Sequence, residues 1–341
     1  MTTQDGRLPL ALTMGEPAGI GGEIVLKAWA NHRASLPSFF VIDDLARLEH
    51  VAADLGLSVA LYPITAPAET QAVFPKGLPI LAQHIPKQPK PGRPEPENVP
   101  AVLDAIRRAV AIVQEKHAAA IVTLPIHKHT LMAAGFAYPG HTEFLAHLAG
   151  NGIEPVMMLV TDTLRVVLVT IHEPFRAITD HLTKERIVLC GKTAAKALAH
   201  DFGISNPRLA VAALNPHAGE MGMLGYEERE IIAPAVTALR QFGITVAGPL
   251  AADTLFHSKA RETYDAVLCM YHDQAMIPLK TIDFRGGVNM TLGLPFIRTS
   301  PDHGTAFDIS GQGLADETSL VAAIRLANAI TIHRHKAKVP A

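Results

Sequence analysis

An α/β fold built on largely parallel sheet is what this sequence predicts, on three observations. Short apolar runs alternate with longer stretches of helical period, the pattern of strand and helix succeeding one another along the chain. The chain is 48% hydrophobic but only 5% aromatic, so its core is made of Ala, Val, Leu and Ile, the residues of strands covered on both faces. At 341 residues it exceeds the size at which one core stops growing, so two subdomains with a cleft between them are expected.

In chain order, Leu8 to Met14 reads as a strand ended by Gly15-Glu16-Pro17-Ala18-Gly19, with a helix over Ile20 to Ala30. The turn is either a tight strand-to-helix turn or part of a nucleotide site. The G-x-G-x-x-G dinucleotide pattern fails, because Ile24 stands where the third glycine belongs. Phe39 to Asp43 predicts a buried strand, Asp44 to Ala53 a helix and Ser58 to Tyr62 a third strand. His84 to Pro100 carries six prolines and reads as an extended surface connection. An amphipathic helix follows over Val99 to His117, then a strand over Ala119 to Thr123 with Pro125-Ile126-His127-Lys128-His129 at its carboxyl end, where open α/β sheets bind ligands. Val156 to Val160 and Leu164 to Thr170 form a predicted hairpin. A helix over Leu182 to Phe202, a strand over Arg208 to Leu214, a helix over Tyr226 to Phe242 and a strand over Asp265 to Met270 come next. The last helix is expected over Ser319 to His335.

The formal charge of −2 and the lack of like-charge blocks argue against nucleic acid or an anionic membrane as partner. No apolar run reaches the ~18 residues of a membrane span, and no basic segment precedes an apolar one at the start. A soluble cytoplasmic protein acting on a small molecule, or binding another protein, is expected. Cys190 and Cys269 lie in apolar contexts and are expected to be buried free thiols.

Histidine is common, 17 in the chain, and any single one is as well explained as a core or surface residue. Position singles out three. His172, His217 and His272 each stand just beyond a predicted buried strand, and three neutral imidazoles converging there suit Zn²⁺ or a similar divalent ion. After His272 come Asp273, Lys280, Arg285, Asn289, Arg298 and His303-Gly304-Thr305. Solvated cations with buried stems would explain Lys280 and Arg298. An anionic substrate held by a lysine, an arginine and an amide explains them too, and Arg298 ends the apolar run Leu292 to Ile297, where an unpaired charge is costly. In Tyr138 to Glu143, Thr142 reads as a helix N-cap, or with His141 as an anion or carbonyl site. Lys128 is a further cation at a strand end.

The segments MGEPAGIGGE, VTLPIHK, PGHTEF, LNPHAGE, YHDQ and GGVNMTLGLPFIRTSPDHGTAF occur in this order over nearly the whole chain. In this the sequence resembles the 4-hydroxythreonine-4-phosphate dehydrogenase family of pyridoxal phosphate biosynthesis. Two positions depart from the family's usual pattern: Glu16 where aspartate is common, and MGMLGYEE after NPHAGE where many members have a histidine-containing stretch.

The resemblance implies an isocitrate/isopropylmalate dehydrogenase-like fold of two α/β/α subdomains, a first over 1–130 plus 295–341 and a second over 131–294. It implies a homodimer with shared active sites and one divalent ion per site, Zn, Mg or Co, on His172, His217 and His272. His141, Thr142, Lys280, Asn289 and Arg298 match substrate-binding positions, and Asp302, His303, Gly304 and Thr305 a loop holding NAD or NADP. Lys280, Asp253 and Asp273 are the candidate proton acceptors. The implied reaction is oxidation of 4-phosphooxy-L-threonine to 2-amino-3-oxo-4-phosphooxybutanoate, which loses CO₂ to give 3-amino-2-oxopropyl phosphate. Related dehydrogenases of phosphorylated threonate or erythronate or of dihydrodiols are the alternatives. More distant readings are a metal-dependent hydrolase or lyase of a phosphorylated sugar acid, and an inactive metabolite-binding protein.

Overall fold

The computed structural model describes residues 7–150 and 152–336. These form an α/β structure of two compact units, the described residues of Met1–Ile153 with Leu294–Thr331, and of Glu154–Gly293 with Ile332–Ala341. Residues 131–153, which the sequence reading gave to the second unit, cluster with the first.

The first unit holds strands β1 (Leu10–Thr13), β2 (Phe39–Asp43), β3 (Leu61–Ile64), β4 (Leu78–Ala82) and β5 (Ala120–Val122), with a sixth, Arg298–Pro301, from late in the chain. All pair in parallel, in the order β3-β4-β2-β1-β5 and then Arg298–Pro301. Parallel pairing explains the apolar runs: β1 and β2 are buried at every residue, because helices cover both faces. Helix Val99–Gln114 turns Val102, Ala105, Ile106 and Ala109 into a core with Phe40 and Ile121.

The second unit contributes β6 (Val156–Val160), β7 (Arg165–Leu168), β8 (Arg208–Ala212), β9 (Thr245–Leu250), β10 (Ala266–Cys269) and β11 (Val288–Leu292), so Arg298–Pro301 is β12. Their order is β11-β6-β7-β10-β8-β9. β6 runs antiparallel to both neighbours, while β7, β10, β8 and β9 are mutually parallel. The expected hairpin is β6–β7, closed where the Leu164 backbone N–H donates to Thr161 Oγ1 at 3.1 Å. Leu159, Val166, Leu168, Ala210 and Val267 fill this core.

Several elements differ from the sequence reading. The third strand lies later, at Leu61–Ile64, and β4, β9, β11 and β12 were not anticipated. His272–Ile282 is a helix despite Pro278. The expected helix from Tyr226 begins as one π turn, Glu228–Ile232, before α geometry over Ala233–Gln241. The proline-rich connection is tied down: the Gly92 N–H donates to Ala18 O at 2.8 Å, and Ser310 Oγ donates to the same carbonyl. No described helix is long and apolar enough to cross a membrane. Cys190 and Cys269 are buried free thiols, and burial pushes Cys190 up to about 11.

Candidate functional site

Parallel strands point their carboxyl ends the same way, so loops after β1, β5 and β12 share one edge of the first unit. Gly15 ends β1 with φ +66°, and a Cβ there would meet Pro125 O at 2.7 Å. Only glycine lets the two strand-end turns approach so closely. The Glu16 N–H donates to Pro125 O at 2.8 Å. The Glu16 side chain turns inward to accept from the Ala18 N–H, and burial raises its pKa. From below, Arg47 braces the turn through Pro17 O at 3.1 Å, its charge compensated by Asp43 in a pair that is 1% exposed on both sides.

The loop after β12 closes over this turn. Thr305 O accepts from the Ile20 N–H at 3.1 Å, and a Cβ on Gly19 would lie 3.0 Å from the same oxygen. Gly19 is thus packed closely against the later loop. The Asp302 N–H donates to Ser319 Oγ at 3.0 Å, and His303 Nδ1 lies 3.0 Å from Gly304 O. Gly304 is exposed between partly exposed His303 and Thr305. His127, which the sequence reading did not select, bonds Thr130 Oγ1 at 2.6 Å and packs edge-on against Phe307 at 4.8 Å between ring centres. Burial, then the charge of His129, lowers its pKa. Lys128 is exposed at the start of helix Lys128–Ala133.

A second cluster in this unit gathers Arg298, Thr123, His141, Thr142 and Glu143. Arg298 is only 3% exposed. Its Nε and Nη2 both donate to Thr123 Oγ1, at 3.1 and 2.7 Å. Burial pushes the guanidinium down to about 10, while the Glu143 carboxylate pulls the other way. His141 Nε2 is sealed from solvent and has no hydrogen-bond partner among the described residues. Burial first, and the Arg298 charge second, hold His141 well below the usual imidazole range, so it is neutral at pH 7. Thr142 is buried but is not the N-cap: helix His141–Ala149 is capped by Gly140, without a side-chain bond. The hydroxyl expected at the cap is one residue into the helix, where it is free for a non-capping role.

The second unit carries the three histidines. They follow β7, β10 and β8, three adjacent parallel strands, and so occupy one edge of that sheet. The His172 and His272 rings lie 5.9 Å apart between centres. Asp273 Oδ1 sits 2.7 Å from His272 Nδ1, an arrangement that directs Nε2 outward as in carboxylate–histidine–metal sets. His217 stands in a left-handed run, with φ from +41° to +77° over His217 to Met221. Among the described residues no group of three His, Cys, Asp or Glu side chains is placed to hold an ion. The donor chemistry suits a divalent metal, with two imidazoles side by side, and the third is not brought to them within one chain.

What holds the His217 loop is Glu228, which sequence reasoning also missed. Its Oε1 accepts from the Leu214 and Asn215 N–H groups at 2.9 and 2.7 Å, and its Oε2 from Asn215 Nδ2 at 2.9 Å. Gly219, at φ +77°, passes so close that a Cβ would lie 2.6 Å from Glu228 Oε2. The π turn bearing Glu228 is itself a feature often found at functional sites.

The remaining expected residues of this unit are more scattered. Asp253 is exposed beyond β9. Lys280 lies in the last turn of helix His272–Ile282, its Nζ 5.2 Å from the Phe284 ring centre. Eight residues of helix separate it from His272, roughly 12 Å of rise. Asn289 pairs with Leu159 in β11, level with Val166, and so stands back from the histidine edge. Its Oδ1 is buried and lacks a hydrogen-bond partner among the described residues.

The chain resembles known proteins over nearly its whole length. Residues 35–327 match the family model described as pyridoxal phosphate biosynthetic protein PdxA. The 4-hydroxythreonine-4-phosphate dehydrogenase of Caulobacter vibrioides is 51% identical, over 96% of this chain and 98% of that protein. The crystal structure of 4-hydroxythreonine-4-phosphate dehydrogenase from Klebsiella pneumoniae superposes with a TM-score of 0.85 at 41% identity, covering 95% of this chain and 99% of that one. A terephthalate 1,2-cis-dihydrodioldehydrogenase from Burkholderia xenovorans follows at TM-score 0.63 and 27% identity, over 95% and 98%. With a family model matched over most of its length and half its residues shared with such a relative, the chain belongs to the PdxA family of pyridoxal phosphate biosynthetic proteins.

Proposed function

We propose that the protein is an NAD- or NADP-dependent dehydrogenase that oxidises 4-phosphooxy-L-threonine at its C3 hydroxyl. The product, 2-amino-3-oxo-4-phosphooxybutanoate, then decarboxylates to 3-amino-2-oxopropyl phosphate. One observation carries the reading from the geometry: a buried, charged Arg298 beside a neutral His141 and a buried Thr142. A guanidinium in that setting is suited to a phosphate or carboxylate, because its fork matches their oxygens and its charge is poorly screened. Relatives named for this activity, about half identical over nearly the whole chain, support it.

His141, Thr142 and Arg298 hold one anionic end of the substrate, and Lys280 and Asn289 bind it through cation and amide. Lys280, Asp253 and Asp273 are the candidates for the single group that takes the hydroxyl proton, and Asp273 also contacts His272. His172, His217 and His272 would hold a divalent ion, Zn, Mg or Co, which supplies Lewis acidity to the reacting oxygen. Asp302, His303, Gly304 and Thr305 meet the nucleotide, which supplies the hydride acceptor. The working form is a homodimer in which a second copy completes the histidine set. Met221, Met223, Leu224 and Tyr226, all exposed within one short segment that starts in the His217 loop, favour that reading, since a run of exposed apolar side chains is a feature of interaction surfaces.

The test is a substrate panel with both nucleotides. The highest kcat/KM is expected for 4-phosphooxy-L-threonine. A higher value for phosphorylated threonate or erythronate, or for a cis-dihydrodiol, would reassign the substrate while leaving the reaction class intact.

A further inference from the structure

We infer that Thr123 is a positioning residue for substrate binding: its hydroxyl fixes the plane of the Arg298 guanidinium. This rests on the reading of Arg298 as an anion-holding group.

Thr123 is fully buried, one residue beyond β5. Strand pairing delivers it to Arg298: β12 aligns Arg298 with Ile121 and Thr299 with Val122, and the Thr123 N–H donates to Thr299 O at 3.0 Å. Two donors of one guanidinium, Nε and Nη2, converge on the single oxygen Oγ1. A guanidinium offers two hydrogen-bonding edges, and this contact uses the one formed by Nε and Nη2. The two bonds to one oxygen hold the plane of the guanidinium. Bidentate recognition of phosphate or carboxylate depends on that plane, which distinguishes arginine from the point charge of lysine. A methyl group in place of the hydroxyl would leave two donors of a buried cation without their acceptor, a cost comparable to losing a charged hydrogen bond.

The alternative is that Thr123 matters only as filler, through its methyl group. Thr123→Val keeps the shape and removes the acceptor, and Thr123→Ser keeps the acceptor and removes the methyl. We expect Thr123→Val to raise the KM for 4-phosphooxy-L-threonine about tenfold or more, with a smaller effect on kcat. Thr123→Ser should stay near the wild-type KM. In an Arg298→Ala background Thr123→Val should add little, because the group it positions is gone. Should Thr123→Val fail to fold, Thr123→Cys, similar in shape but a weak acceptor, takes its place in the same comparison.

A serine variant as impaired as the valine one would overturn the proposal, as would an undiminished effect of Thr123→Val in the Arg298→Ala background. If Arg298→Ala raises KM and Thr123→Val does not, positioning by Thr123 is wrong and anion binding by Arg298 stands. If Arg298→Ala leaves KM unchanged, the assignment of Arg298 itself is wrong.

Discussion

The Arg298 cluster of the first unit and the histidine edge of the second are assembled in opposite ways. Arg298 is buried, bonded through two nitrogens to Thr123, and sits beside a histidine kept neutral by burial. Every part comes from one chain and is in place before a ligand arrives. The histidines are exposed or half-exposed, with His272 opening a helix and the other two on loops, only two of them adjacent, and the third on a left-handed turn held by a carboxylate. Preorganised burial suits a group that grips a fixed charge. A set of donors left open at a strand edge suits an ion completed by other ligands, from a second copy and from substrate.

The largest effect separating the two regions is expected at the metal end. His217→Ala or His272→Ala should cut kcat more than a hundredfold and abolish bound divalent metal, measured by elemental analysis. Retained metal and full activity would sink the histidine set. Mixing pairs of inactive His→Ala variants at positions 172, 217 and 272 should restore activity in at least one pairing, because a mixed dimer rebuilds one intact site when ligands come from different subunits. No rescue in any pairing, with subunit exchange verified, places all three ligands in one chain.

Arg298→Lys should lower kcat/KM about a hundredfold with metal content unchanged, since lysine keeps the charge and loses the fork. A metal-depleted variant would show that the two regions are not separable. Glu228→Gln should weaken metal binding about tenfold to a hundredfold while sparing substrate affinity, because the new amide sets its N–H₂ against the Asn215 N–H₂. Titration with a chelator as competitor measures this, and wild-type metal affinity would refute the brace.

A smaller effect concerns acid stability. Burial and the Arg298 charge hold His141 well below the ordinary imidazole value of about 6.5, so between the folded and unfolded pKa the unfolded chain binds more protons than the folded one. Its contribution is therefore full above pH 6.5 and declines as pH falls toward the folded pKa. His141→Asn should flatten the acid side of a melting-temperature profile. A wild-type slope in that variant would contradict the burial of a neutral ring.

Much of the first unit was legible in sequence, because β1, β2 and β5 are short, mostly apolar runs buried at every residue and Val99–Gln114 has a strong helical period. β4 and β9 were hidden by Pro79 and Pro249, and β11 and β12 by the glycines around them. Pro278 masked the helix that carries Lys280. At the site, the histidines announced themselves by following strands. Thr123 and Glu228 did not, since a buried threonine and a glutamate in EREII look like ordinary strand and helix residues until long-range pairing supplies their partners.

The most direct measurement follows reduced nicotinamide and CO₂ together when purified protein is given a divalent ion, 4-phosphooxy-L-threonine and NAD or NADP. The account predicts that both appear in equal amounts and that neither appears without nucleotide. Turnover of the phosphorylated substrate without nucleotide would contradict it, and would point to hydrolysis or lyase chemistry on the same residues.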